Sequence, residues 1–358
     1  MHRSISSLVS GLVFLIFSTT LIPLIASADI PRTASGNPDL TGTYDVATLT
    51  PLERPEEYGN KAYLSKAEAD AIRTKRATDS AAANAASEPD RTPPPPGGDG
   101  SSGAAGNVGG YNAFWLDFGD EQATLDGKFP TSIITQPANG RQPSRTVAGM
   151  ARMAAFRLLF KENTGSAWWL GEEGPGPYDN MEMRPNAERC LLSFGSTSGP
   201  PMLPSGYNNL KRIVQTDTHV MILAEMIHDA RVIRLNGEHH PGEVRAWMGD
   251  SVGHWEGDTL VVDTTNFGAK PALGGASPEL HVIERFTMTE RGDLKYGFTV
   301  DDPQAWEESW SGEYPWPATP NKLYEYACHE GNYALGNIMR GARILERDVE
   351  WSGSASGD

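Results

Sequence analysis

From residue 210 onward, apolar and polar positions alternate in short runs broken by tight turns, which is the two-residue period of a pleated strand. Residues 210–216 and 219–235 are rich in Val, Ile and Met, and Asn236-Gly237 is a turn signal after them. Glu256-Gly257-Asp258 separates Trp255 from a strand over 259–267. Arg291-Gly292-Asp293 separates 280–289 from 294–300, the clearest hairpin in the chain. Residues 323–328 read as a last strand and 332–343 as a closing helix. The run 219–235 is apolar on both of its alternating sets, so it predicts one strand covered on both faces. A closed barrel does this when one face lines its lumen and the other packs under helices and loops.

Upstream, helical spacing joins the pattern. Ser65 and Glu68 form a capping-box pair that opens a helix running to about Arg76. Met150, Met153, Phe156, Leu159 and Phe160 recur at three- and four-residue spacing and predict a helix over 146–161. Short strands are expected at 40–46, at 132–135 before a turn at Asn139-Gly140, and at 111–117, where Tyr111, Phe114 and Trp115 mark a core or cavity strand. The predicted fold is mainly β: an antiparallel barrel or sandwich of lipocalin-like shape with a few peripheral helices.

Composition adds boundaries. Residues 1–28 read as a signal peptide: Arg3, an apolar run from Leu8 to Ile25, then Ala26-Ser27-Ala28 as a small-residue cleavage site. An N-terminal segment and helix occupy 29–76. Residues 77–110 hold Ala, Ser, Gly, Asn and four prolines in a row. They lack the apolar area to offset ordering entropy and read as a flexible loop. The main β-rich domain spans 111–350, with a flexible tail at 351–358. Gly (38) and Pro (26) are abundant, which fits a chain of many turns. Acidic residues outnumber basic ones 46 to 30, for a net charge of −16, and this argues against nucleic acid or an anionic membrane surface as partner. No second apolar run is long enough to span a membrane, so no membrane insertion is expected after cleavage. The expected location is periplasmic or secreted. There an even pair of cysteines, Cys190 and Cys328, reads as one disulfide.

The candidate chemistry lies where charge interrupts apolar strands. Glu225, Glu284 and Asp263 each sit among Val, Ile, Met or Phe, and an isolated buried carboxylate is costly. A polar-tipped cavity inside an apolar barrel is one reading and structural ion pairs are the other. His228-Asp229 and His329-Glu330 put imidazoles beside carboxylates, the pairing of general acid/base catalysis. His239-His240 before Pro241-Gly242 is a weak metal candidate, because two neighbours cannot supply three facing ligands. No metal and no organic cofactor is expected: there is no Cys-x-x-Cys, no phosphate loop and no Gly-x-Ser-x-Gly elbow.

Several strings resemble a large family of exported bacterial proteins of uncharacterised activity. They are Pro51-Leu52-Glu53-Arg54-Pro55, Tyr111-Asn112-Ala113-Phe114-Trp115, Glu188-Arg189-Cys190-Leu191, Glu225-Met226-Ile227-His228-Asp229-Ala230-Arg231-Val232-Ile233, Trp247-Met248-Gly249-Asp250-Ser251, the run from Trp255 to Phe267, and Tyr324-Glu325-Tyr326-Ala327-Cys328-His329-Glu330-Gly331-Asn332-Tyr333. The resemblance covers nearly all of the chain after the signal peptide except 77–110. Tyr44 stands where the family usually has Trp, and Gln136-Pro137-Ala138-Asn139-Gly140-Arg141 departs from its usual turn. The resemblance implies export and an intact fold, and it ranks both cysteines and both His-acid pairs first among functional candidates.

The leading expectation is a cofactor-independent lyase, isomerase or hydrolase acting on a small, partly apolar or aromatic molecule, with cleavage of an ether or glycosidic bond as one fit. His228 would be the acid/base, oriented by Asp229 or Glu225. His329 and Glu330 would form a second pair, and Arg189 or Arg231 would hold developing negative charge. Trp115, Tyr207, Asn208, Trp255, Asn332 and Tyr333 are the candidate substrate contacts. The alternative is a non-catalytic periplasmic carrier of the same small-molecule class. Oligomeric state is left open.

Overall fold

The computed structural model describes residues 30–85, 90, 115–159, 165–227 and 229–355, with side chains through 349. The strands are β1 (Gly42–Asp45), β2 (Tyr63–Leu64), β3 (Phe129–Pro130), β4 (Ile134–Gln136), β5 (Leu210–Gln215), β6 (His219–Ala224), β7 (Ala230–Leu235), β8 (Asp250–Glu256), β9 (Thr259–Thr265), β10 (His281–Met288), β11 (Leu294–Asp301) and β12 (Trp310–Trp316). The helices are α1 (Lys66–Ala83), α2 (Val147–Leu158), α3 (Cys328–Gly331) and α4 (Tyr333–Ala355). Ten strands make one curled sheet in the order β1-β5-β6-β7-β8-β9-β10-β11-β12-β4, while β2 and β3 pair separately. Every neighbouring pair in the large sheet is antiparallel except β7 with β8. Just beyond β12, Asp45 N donates to Pro317 O (2.9 Å) and Thr319 N donates to Thr43 O (2.9 Å), so the first strand of the row meets the continuation of β12.

Both predicted tight hairpins form, β8–β9 around Gly257-Asp258 and β10–β11 around 289–293. The capping box at Ser65 forms as well, with Glu68 N donating to its Oγ and Ser65 N donating back to the Glu68 carboxylate. Helix α1 continues past Arg76 to Ala83, because the Ala-rich string after Arg76 is a good helix former. Residues 77–83 therefore belong to the helix, and most of the rest of 77–110 lies outside the described residues. So do residues 1–28, read above as a signal peptide, Tyr111 to Phe114, and His228. Helix α2 starts at its Thr146 cap as predicted, yet Met150 and Phe156 on its apolar stripe stay exposed. Helix α4 runs on to Ala355, through the first part of the expected tail.

Two expectations are corrected, and one strand was not foreseen. The run 219–235 is not one strand but the β6–β7 hairpin, and it reverses at 225–229. Met226 and Ile227 look like strand residues only because this turn is buried beneath another segment. Ile227 takes a left-handed φ of 60°, uncommon for a β-branched residue. Residues 323–327 form no strand, because the free edge of β12 is already taken by β4 at one end and β1 at the other. In their place β12 completes the sheet. Trp310, Gly312, Tyr314 and Trp316 point inward and Ser311, Glu313 and Pro315 outward, a pattern that Gly312 and Pro315 obscure in the sequence.

The inner face is filled rather than hollow. Tyr296 stacks on Trp316 (4.7 Å, 30°), Phe286 meets both, and Phe298 meets Trp310 edge-on (5.7 Å). Segment 196–203 is buried and carries Met202 into this core. Its backbone is held by two tyrosines: Met202 N donates to Tyr296 Oη (2.8 Å), and Tyr314 Oη donates to Met202 O (2.7 Å). Tyr296 Oη in turn donates to Glu284 Oε1 (2.8 Å), and Glu284 forms a forked ion pair with Arg231 (2.5 and 3.0 Å). Burial pushes both tyrosine hydroxyls up, which keeps them neutral donors. Arg285, on the outer face, pairs instead with Glu256 (2.7 Å).

Cys190 and Cys328 form the expected disulfide across 138 residues. Among the described residues, no helix is long and apolar enough to cross a membrane.

Removing one partner of a buried ion pair strands the other charge. Arg231→Met is therefore expected to cost about 3–5 kcal/mol in urea denaturation, and adding Glu284→Leu should recover much of that loss. Equal stability of the single variant and the parent chain would show that the pair does not hold the core.

Candidate functional site beside the disulfide

The disulfide joins the loop that carries Glu188 and Cys190 to the start of the C-terminal helices. Between them lies an open groove of about 490 Å³, lined among others by Glu188, Cys190, Asn208, Cys328, Asn332 and Ile338. Local chemistry fixes its walls. The buried Asn209 ties down the approach to β5: Ser205 N donates to its Oδ1, and its Nδ2 donates to Asp117 O and Ser205 O (2.8–2.9 Å). Asn208 then lines the groove in a left-handed conformation, φ 53°, and Cys190 has φ 57°. Left-handed non-glycine residues are uncommon and cluster at functional sites; two of them border this groove.

Asn332 joins the walls. Its Nδ2 donates to Glu188 O (2.7 Å), and its Oδ1 accepts from Leu335 N (3.2 Å), which caps the first turn of α4. The Glu188 carboxylate is held in a fork by Arg184 (2.8 and 2.9 Å). The groove thus offers amide side chains, apolar surface and one neutralised carboxylate, with Glu325 as a second acidic wall residue.

The structure brings only some of the nominated residues here. Cys190, Asn208, Cys328 and Asn332 line the groove. Glu225 and Asp229 flank the β6–β7 turn at the same end of the sheet. Glu225 is buried and accepts from Tyr324 N (3.1 Å), and Ser198 Oγ points at Asp229 Oδ2 (3.5 Å). His329, Glu330 and Tyr333 are exposed on α3 and α4, and Arg189 is half-buried. Arg231 is enclosed in the core against Glu284, which removes it as a group to meet substrate. Trp115 is 59% exposed and residues 115–117 form no strand, which corrects that part of the strand expected at 111–117; residues 111–114 lie outside the described residues. Tyr207 is half-buried. Trp255 lies next to the β8–β9 turn, at the opposite end of the sheet from Glu225.

Two features escaped the sequence reading. The first is Lys211, fully buried behind the β6–β7 turn, with Nζ donating to Thr197 Oγ1 (3.2 Å). Burial pushes its ammonium down to about 7, against the pull of Glu225 and Asp45. The second is a network on the outer face of β7–β10. His239 Nδ1 contacts Asp250 Oδ2 (3.1 Å) and its Nε2 contacts Asp263 Oδ1 (3.0 Å), which His281 Nε2 also reaches (3.1 Å). Asp250 is forked by Arg234 (2.7 and 3.1 Å) and accepts from His240 N (2.8 Å). Burial raises both carboxylates, but their hydrogen bonds outweigh it and hold both below the usual range. His281 is raised, chiefly by its bond to Asp263. Asp263 and His239 stood out in the sequence, but the register that adds Asp250 and His281 did not. Among the described residues, no three His, Cys, Asp or Glu are arranged to hold a metal.

Lys211 sets a pH dependence. Its folded pKa is depressed, so between about 7 and its unfolded value the unfolded chain binds the extra proton and stability rises with pH. Denaturation between pH 7 and about pH 9.5, below tyrosine ionisation, is expected to show a gain that Lys211→Met abolishes. A flat profile in the parent chain would refute it.

Compared with family models, with curated proteins and with solved structures, the chain matches none of them.

Proposed function

We propose that this chain is an exported, plugged β-barrel that binds a small, partly apolar molecule in the groove beside its disulfide. Closure of the sheet is supported by the hydrogen bonds between β1 and residues 317–319. It is also supported by strand count. With β4 set aside, since it pairs only with Ser311 and Gly312 of β12, the ring from β1 to β12 has nine strands; nine cannot alternate direction throughout, and the one parallel pair, β7 with β8, supplies the needed exception. The signal-like leader, the disulfide and the resemblance to an exported family support an oxidising compartment.

The observation that carries the binding reading is the lining of the groove. Its size suits a small ligand, and amide groups and apolar surface share its wall. The carboxylate of Glu188 is neutralised, and no imidazole lies among the lining residues named for it. That favours recognition over proton transfer at this end of the molecule.

The acid/base enzyme first expected from the sequence is the second reading, favoured by the His239–Asp263–His281 chain of hydrogen bonds. These groups are half-open to solvent, and their shared carboxylate oxygen links two imidazoles. On that reading the working imidazoles would be 239 and 281 rather than 228 and 329.

A thermal-shift screen of small metabolites, followed by calorimetric titration, tests the binding reading. Binders should stabilise the chain in proportion to occupancy. Asn208→Gly suits the left-handed backbone and deletes only the amide. It should weaken binding about fivefold, one hydrogen bond's worth, at unchanged stability. Binders indifferent to that change would place the ligand elsewhere, and turnover lost in both His239→Asn and His281→Asn would favour the enzyme.

A further inference from the structure

Helix α4 borders two hollows. Besides the groove at the disulfide, a second of about 660 Å³ lies between α4 and the loop at 165–178, walled by Trp168, Trp169, Tyr178, Ile338 and Leu345. Ala334 and Ile338 line both hollows, so the two adjoin along one face of the helix. From 334 to 345 that face runs roughly 16 Å at the α-helical rise.

The two halves differ in chemistry. The disulfide half presents Asn208, Asn332 and the carboxylates of Glu188 and Glu325. No charged side chain is among the residues lining the helix half. The polar edge of Trp169 is engaged, its Nε1 donating to Glu346 Oε1 (2.7 Å). Trp169 and Tyr178 meet at 4.5 Å and Trp168 stands edge-on to Trp169, an arrangement that makes a stiff apolar wall. Two glycines keep it open: a Cβ built on Gly165 or Gly341 would meet nothing within 4 Å.

We propose that these two hollows form one trough for an elongated amphiphile, its uncharged or cationic head beside the disulfide and its alkyl or aryl tail over Trp168 and Trp169. The inference rests on the binding reading above and names the ligand class of that site. Volume argues for a small molecule, since each hollow falls in the range of ligand pockets. Head charge follows from the walls: Glu188 is already paired with Arg184, and Glu325 adds a carboxylate with no cation among the lining residues, which disfavours an anion. Tail length follows from the helix face, which matches a chain of about twelve carbons.

Titration of the whole chain with dodecyl glucoside, ethyl glucoside, dodecyltrimethylammonium and dodecanoate, all below micelle formation, tests this. Dodecyl glucoside should bind at least about tenfold more tightly than ethyl glucoside, since each buried methylene adds affinity. Dodecanoate should bind at least about tenfold more weakly than dodecyltrimethylammonium. Gly341→Leu fills the tail half while improving helix propensity, so it should erase the dodecyl advantage and leave ethyl glucoside unchanged. Trp168→Ser, on the opposite wall, should do the same and serves if the helix variant folds poorly. Asn208→Gly should weaken both glucosides. If that variant weakens both but tail length and Gly341→Leu change nothing, the trough is wrong and the groove stands. If no probe binds, or Asn208→Gly affects none, both readings fall.

Discussion

The architecture turns on a charge pair placed where water cannot reach it. Arg231 and Glu284 face each other inside the curled sheet, and neither tolerates that position alone. Glu284 uses a further lone pair on Tyr296, and Tyr296 and Tyr314 between them hold the backbone of Met202. The pair therefore does more than survive in the core, because it organises the polar fixture on which segment 196–203 seats. With that segment seated, the aromatic and aliphatic side chains of the main core fill the inner face, and the binding proposed above belongs to the groove beside the disulfide.

At the rim the disulfide has a corresponding task. Helix α4 packs mainly on the loop at 165–178, where Trp169 and Ala342 form a small core separate from the main one. Such a satellite buries little apolar area of its own and needs tethering. The Cys190–Cys328 bond supplies a tether, and Asn332 reinforces it by donating to Glu188 O. The groove is the seam between the two bodies. Its left-handed Cys190 and Asn208 mark where the chain bends to make that seam.

How much of this the sequence discloses depends on the range of the interaction. Local signals were readable: the Ser65 capping box, the Gly257-Asp258 and 289–293 turns, the paired cysteines and the mainly β character. The failures share one cause, which is that tertiary cover changes what an apolar residue means. Met226 and Ile227 continue the alternation of β6, yet they form a buried turn. Strand β12 hides behind Gly312 and Pro315; the proline is tolerated because β4 pairs only with Ser311 and Gly312, so no β4 partner asks Pro315 for a backbone donor. Glu284 was rightly singled out as anomalous, but its partner comes from a strand 53 residues earlier, and only register brings the two together. The same holds for the site. Cys190, Cys328, Asn208 and Asn332 were legible and converge on one groove, whereas the imidazole at 329 is exposed on α3.

The outer network follows from the same topology. On the closed-ring reading, nine strands require one parallel neighbour pair, and β7 with β8 is that pair. A parallel pair needs a crossover, and here residues 236–249 return across the outer face without a helix to satisfy their backbone. The side chains that hold this crossover come from the strands beneath it. Arg234 donates to Glu238 O, Asp250 accepts from His240 N, Asn266 Nδ2 donates to His240 O, and Asp250 and Asp263 clasp the His239 ring. His281 from β10 completes the clasp through the shared Asp263 oxygen. Polar groups that look catalytic by composition are thus where the fold most needs them. That need is met by Asp250 together with Arg234, which leaves the half-exposed Asp263 and His281 as the part of the network able to exchange protons with solvent.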